Sequence, residues 1–309
     1  MKMEKIKILL STYNGERFIE EQMESLLNQD NVLIDILVRD DGSSDNTINI
    51  LDKYQKDKKL KYYSGDNLKP ARSFVDLVKK SDDCDWYAFC DQDDVWDHDK
   101  LYKAVEKLSA LDTDQPIVYY SNLRIVDKNL KFYRFAKSNY QMPDSKYSCF
   151  VENEATGCTM VFNRAAAKYI KNYEISYLSM HDSWMYMVGR IFGIVIYDDR
   201  ATINYRQHEK NVIGASLRAN ILYKIKGQLV RYFTSKEEPR YKNVISFYNC
   251  YYNCLSDHDK RVLSVFLNYK KNLYSSAPVR RQTHRRVKVL ALAKPSKQPV
   301  LNLGIKAVR

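Results

Sequence analysis

At 309 residues, with 45% hydrophobic and 28% charged side chains, the chain has the size and balance of a folded globular protein with a sizeable core. Its six cysteines (Cys84, Cys90, Cys149, Cys158, Cys250, Cys254) show no zinc-type CxxC pairing or extracellular spacing, and no apolar run makes a signal-peptide core or the roughly 18 residues of a membrane span. Those absences argue against secretion and predict reduced thiols in a cytoplasmic compartment, while the net charge of +12 is unevenly spread.

Residues 6–11 are predicted as a first strand, which TYNG at 12–15 turns into a helix with Phe18, Ile19, Met23, Leu26 and Leu27 at helical spacing. Residues 32–38 supply a second strand, followed by RDDGSSDNT at 39–47, where Gly42 permits a tight turn and Asp45 is placed to cap the next helix. Residues 60–63 form a third, shorter strand, and Pro70 opens a helix through Phe74, Leu77 and Val78. The fourth strand, 86–90, is short, apolar and aromatic. This alternation predicts an α/β fold, a mainly parallel sheet flanked by helices. Without a GxGxxG or P-loop lysine motif, a dinucleotide site or ordinary NTPase is disfavoured. Beyond Pro116 the regularity ends. Residues 117–120 and 123–126 read as strands around a turn, 155–162 as a small-residue strand and 164–169 as a helix. HDSW at 181–184 leads into a helical run, and 194–197 and 201–205 read as short strands before YRQH.

The fourth strand delivers Asp91, Asp93 and Asp94 together to its carboxyl end, where open α/β sheets bind ligands. Three carboxylates this close repel one another unless a cation sits among them, and a divalent cation holding a diphosphate suits oxygen ligands of this kind. The bland alternative is helix capping. It explains Asp97 or Asp99 at the start of the helix expected over 98–109, but not Asp91 and Asp93.

Residues 1–214 resemble the family 2 nucleotide-sugar glycosyltransferases, which have the Rossmann-like GT-A fold and transfer with inversion. The likeness rests on STYNGE at 11–16, RDDGSSDNT at 39–47, FCDQDDVW at 89–96, TGCTMVFNR at 156–164, HDSW at 181–184 and YRQH at 205–208, in that order. The wording looks most like bacterial rhamnosyltransferases of cell-wall, capsular or O-antigen polysaccharide synthesis. The resemblance implies that Ser11 and Tyr13 border the nucleotide base and that Asp40 accepts its N3–H. Asn67 and Arg72 would lie beside the nucleotide, although Arg72 reads equally as a solvated helix residue. Asp93 would contact Mn²⁺ or Mg²⁺, Asp91 would hold ribose or a metal water, and His208 would reach the metal or diphosphate. Asp182 would be the general base, its bland alternative being an N-cap. His98 and His181 read as packing or hydrogen-bonding residues. The chain has His181 where an acidic residue is commoner in the family, and Lys69 where a glycine is frequent.

Residues 215–309 hold 20 of the 50 Lys+Arg and 4 of the 38 Asp+Glu, leaving 30 and 34 in the first 214. A basic amphipathic helix is expected over 216–233, and a basic run lies at 279–288. The predicted organisation is a GT-A catalytic domain over 1–214 and a basic, mainly helical region over 215–309 for a membrane surface or a second subunit. The predicted activity moves a sugar from a nucleoside-diphosphate donor, TDP-L-rhamnose before a UDP-hexose, to a glycan or lipid-linked saccharide at the inner face of the membrane. Nucleic acid is the competing anion for the tail, but it leaves the acidic cluster unexplained.

Overall fold

The computed structural model describes residues 3–208 and 239–275. Strand β1 (Lys5–Thr12) buries Ile6, Ile8, Leu9 and Leu10 completely and is flanked in parallel by β2 (Leu33–Asp40) and β4 (Trp86–Cys90). β3 (Lys61–Ser64) pairs parallel with β2. Every residue of β4 is buried, as a continuous apolar strand between two helical layers requires. β8 (Val161–Asn163) then runs antiparallel between β4 and β6 (Ile117–Val126), and β9 (Ile194–Arg206) runs parallel to β6. β5 (Val95–Trp96) closes that edge against β9, and β7 (Phe132–Phe135) folds back on β6, making a nine-stranded sheet.

Because β8 is antiparallel to both neighbours, β6 and β9 point the same way as β1 to β4. Six of the nine strands thus share one direction, and the carboxyl ends of β1, β4, β6 and β9 open on one rim. The order β3-β2-β1-β4 reverses between β1 and β4, the switch point at which open α/β sheets bind ligands. One face of the sheet is covered by α1 (Ile19–Leu27), α2 (Thr47–Lys56) and α4 (Lys100–Leu108). The other is covered by α3 (Lys69–Lys80), α5 (Arg164–Lys171), α6 (His181–Phe192), α7 (Pro239–Tyr251) and α8 (Asp257–Ser275).

Four sequence expectations are corrected. The turn expected near 121–122 is a shift of register within one continuous strand, where Asn122 pairs its side-chain amide with both backbone groups of Lys137 (2.8 and 3.0 Å). β9 is likewise one strand rather than two. The stretch 155–162 is mostly not strand: Gly157–Thr159 forms a 3-10 turn, and only its end joins β8. Asp99 stands at the N-cap of α4 without a capping bond; it pairs with Lys103 (2.7 Å), and Asp97 pairs with Arg124.

Beyond the boundary expected after residue 214, α7 packs onto the core. Val244, Phe247 and Tyr251 of α7 are fully buried in the same cluster as Trp184, whose indole N–H donates to the Tyr251 hydroxyl (3.0 Å). The basic stretches at 216–233 and 279–288 lie outside the described residues. All six cysteines are free thiols, and among the described residues no helix is long and apolar enough to cross a membrane. Phe247→Ala should therefore cost about 3–5 kcal/mol in urea unfolding; a loss below about 1 kcal/mol would show α7 to be peripheral to the core.

Candidate active site

The rim at the switch point is built by two loops that lock into each other. Asn14, at a φ of +48°, accepts from Ser44 N–H (2.8 Å), and Gly15 N–H donates to Thr47 Oγ1 (2.9 Å). Asp45 accepts from Glu16 N–H (3.1 Å) and Thr47 N–H (3.0 Å), and Glu16 accepts from Asn46 N–H (2.8 Å). The first and second sequence motifs are thus two halves of one backbone scaffold. A third loop joins through Gln92, whose side chain accepts from Tyr13 N–H (2.9 Å) and donates to Tyr13 C=O (3.1 Å). A Cβ on Gly15 would stand 2.3 Å from Gln92 Oε1, so only glycine leaves room for this clamp.

On this frame Tyr13 projects with 48% of its surface exposed, and Ser11 Oγ lies 2.7 Å from Ser73 Oγ of α3. Asp40 is fully buried, and its oxygens accept from Thr12 Oγ1 (3.0 Å), Ser43 Oγ (2.5 Å), Gly42 N–H (3.0 Å) and Ser43 N–H (2.9 Å). It organises the turn through Gly42 and Ser43. Half-buried Arg72 donates from Nη1 and Nη2 to the carbonyls of Ile175 (2.7 Å) and Ser176 (2.8 Å). Half-buried Asn67 accepts from Lys69 N–H (3.1 Å), and Lys69 adopts a φ of +65°, the region that favours glycine.

The acidic loop leaves β4 at Asp91. Asp93 Oδ2 lies 2.7 Å from His208 Nε2, so the ends of β4 and β9 bring two of the three expected metal residues together. Asp91 instead groups with Asp94 and Cys158, whose ligand atoms all lie within 4.8 Å of one another. Asp94, which sequence reasoning left without a role, is fully buried; one oxygen accepts from Arg206 N–H (3.0 Å), and the other has no hydrogen-bond partner. Carboxylates with an imidazole alongside and an orphaned buried oxygen beneath make a donor set that fits Mn²⁺ or Mg²⁺.

Asp182 stands at the second position of α6, after Met180 at the N-cap, so it is not the capping residue; its Oδ1 accepts from Ser183 N–H (2.5 Å). His181 fixes this end of the helix. Its ring stacks on Phe74 (centroids 3.8 Å apart) and meets Phe89 edge-on (4.7 Å), while exposed His98 pairs with Asp30 (2.7 Å).

Residues 7–170, more than half of the chain, match the family model for glycosyl transferase family 2. The chain belongs to that family. Over 260 residues this glycosyltransferase is 32% identical to the dTDP-rhamnosyl transferase RfbG of Shigella flexneri, covering 77% of this chain and 84% of that protein. The mannosyltransferase PcManGT of Pyrobaculum calidifontis, solved with GDP-Man and Mn²⁺, shares its fold at 15% identity, with a TM-score of 0.51 over 95% of this chain and 81% of that one. Staphylococcus aureus TarS 1–349, solved with UDP-GlcNAc, does so at 16% identity, with a TM-score of 0.50 over 79% and 73%. The fold is GT-A.

Charge is concentrated in the transferase's site without equal compensation. Burial, with Asp93 and Asp182 adding like charge, raises the Asp91 carboxyl to about 7. Burial raises Asp182 to about 6, against hydrogen bonds from Ser183, Gly157 and Asn153, and drives Asp94 well up. Buried Lys100 is lowered to about 8 by burial and lies 3.7 Å from the Trp96 ring centroid. His181, wholly desolvated, falls to about 3 and stays neutral.

A carboxyl whose folded pKa lies above its unfolded value near 3.8 favours the folded state when protonated, and that contribution is lost as pH rises through the folded pKa. The metal-free protein should therefore lose melting temperature from these two groups between about pH 4 and pH 7. The double variant Asp91→Asn/Asp182→Asn should flatten that slope, and an unchanged slope would show the carboxylates to be solvated.

A Cβ on Gly157 would stand 2.5 Å from His181 Nε2. Gly157→Ala should thus cost about 1–3 kcal/mol. His181→Ala in the same chain should recover part of that loss, and strictly additive effects would refute the contact.

Proposed function

We propose that this glycosyltransferase moves L-rhamnose from TDP-L-rhamnose, with inversion, to a hydroxyl of a growing lipid-linked bacterial surface polysaccharide. The observation that carries the reaction type is the meeting, at one rim, of the acidic loop and Asp182: a Cβ on Gly157 would stand 3.5 Å from Asp182 Cβ, and the sulfur of the next residue, Cys158, lies within 4.8 Å of an Asp91 oxygen. The donor rests on the 32% identity with a dTDP-rhamnosyl transferase.

Asp182 takes the proton of the acceptor hydroxyl while that oxygen attacks the anomeric carbon; the bond from this carbon to the diphosphate breaks, and its electron pair leaves with the nucleoside diphosphate. Burial suits Asp182 to the task, since a carboxylate raised to about 6 is a stronger base than a solvated one and is still ionised at neutral pH. A divalent cation held by Asp93, Asp91 and His208 would neutralise charge developing on the leaving group. Tyr13 offers an exposed ring for the base, and Ser11 and Asn67 lie on the same rim. By resemblance, Asp40 at the end of β2 would accept the base N3–H. The +16 excess after residue 214 supplies attraction to the anionic inner face of the membrane, where a lipid-linked acceptor is met.

The test is a turnover screen over TDP- and UDP-sugars with Mn²⁺ or Mg²⁺. TDP-L-rhamnose should be consumed and EDTA should stop the reaction; turnover of UDP-sugars alone would replace the donor with a UDP-hexose, and full activity in EDTA would remove the metal. Asp182→Asn should bind donor normally and lose about 10²–10⁴-fold in kcat, and wild-type kcat should fall as pH drops through about 6. Near-native transfer by Asp182→Asn would move the base elsewhere.

A further inference from the structure

The hairpin made by β6 and β7 leaves the sheet on the rim that carries the site, and among the described residues nothing covers its β7 strand. Phe132, Tyr133 and Phe135 are 49%, 54% and 47% exposed, in a strand with no buried residue. Val126 pairs with Phe132 and Ile125 with Arg134, so Tyr133 is the extra residue of a bulge. A bulge shifts the alternation of side chains, and Phe132 and Phe135 accordingly meet, with centroids 5.1 Å apart at 60°. Lys128, Lys131 and Arg134, in the turn and on β7, are exposed and form no ion pair among the described residues. Residues 128–135 contain no acid, and the nearest one, Asp127, is engaged in the turn by the N–H groups of Asn129 and Lys131 (2.9 Å each). The hairpin is not loose at its root. Arg206 Nη1 donates to Lys128 C=O (2.7 Å), Gln207 N–H to Val126 C=O (2.9 Å) and Ala136 N–H to Leu123 C=O (2.9 Å).

We infer that this hairpin is a membrane-contacting element. Phe132, Tyr133 and Phe135 enter the interfacial layer of an anionic bilayer, Lys128, Lys131 and Arg134 meet its phosphates, and the rim is held against the surface. The choice of occupant rests on the membrane-surface reading above; the contact itself is separate from the tail. Aromatic rings beside basic side chains are the composition of an interfacial anchor. A sugar platform would offer a free flat face with hydrogen-bonding neighbours, whereas Phe132 and Phe135 turn edge to face on each other. A second copy docked by this patch about a two-fold axis would set three cations against their own equivalents. The chain also leaves β9 beside the hairpin, and the basic amphipathic pattern of 216–233 follows from that point.

The test uses the full chain carrying Phe132→Trp. Its own Trp86, Trp96 and Trp184 are at most 4% exposed, so the new indole dominates quenching. With vesicles of phosphatidylcholine and phosphatidylglycerol, brominated acyl chains should quench it, and acrylamide should lose access only when vesicles are present. The variant Phe132→Ser/Tyr133→Ser/Phe135→Ser should partition about ten-fold more weakly into the same vesicles. It should turn over donor in solution as the wild type does. Three results would overturn the inference: vesicle binding without quenching, which assigns attachment to the tail alone; acrylamide shielding without lipid, which shows the patch covered by its own chain or a second copy; or equal partitioning of the triple variant. Quenching is read without donor or acceptor, so it stands or falls independently of the transfer reaction.

Discussion

The guanidinium of Arg206 is the tie on which the geometry of the rim depends. It donates from Nε to the carbonyl of Asp93, from Nη1 to the carbonyl of Lys128, and from Nη2 to the carboxylate of Glu21, while its backbone N–H reaches Asp94. It is 3% exposed, and it joins the acidic loop, the β6–β7 turn and α1 to the last residue of β9. A lysine would offer its three donors from one nitrogen, whereas the planar fork serves these separated partners in fixed directions. His208 follows two residues later, so its 2.7 Å approach to Asp93 is set by the same tie.

The electrostatics of the rim oppose folding locally, and the surrounding scaffold supplies what holds it. Asp91 and Asp94 lie in a desolvated setting that favours their neutral forms, and the nearest ammonium, Lys100, is itself depressed by burial. Such a cluster persists because strands on both sides fix its backbone: β4 between β1 and β8, Gln92 on Tyr13, Arg206 on Asp93. Buried carboxyls perturbed in this way cluster at functional sites.

Much of this was legible in the sequence, and the misses have physical reasons. The first four strands and α1 to α3 follow from periodicity because each is local: apolar runs ending at Gly, Pro or Asn. The acidic cluster was legible because no fold places three adjacent carboxylates at a strand end for stability. The continuity of β6 was not, since Ser121-Asn122 looks like a turn until the partner that accepts the irregularity is known. The protein partners of Arg72 and Asp40 were illegible for a related reason: side chains rich in hydrogen bonds serve a ligand or a distant backbone equally well, and only tertiary structure shows the backbone groups they meet. Gln92 was invisible because its partner is 79 residues away. The docking of α7 was hidden by its polar mean composition, although Val244, Phe247 and Tyr251 lie on one helical face.

The shared direction of six strands gives the molecule two unlike ends. Their carboxyl ends carry the acidic loop, Tyr13, His208 and the aromatic hairpin, whereas β1 starts at Lys5 on the opposite side of the sheet. An affinity handle placed ahead of β1 thus grips the protein at the edge of the sheet away from that rim. Captured that way on a sensor chip, the molecules would stand with their chemistry facing outward into the flow, each oriented alike, leaving the working edge open to whatever is passed over it.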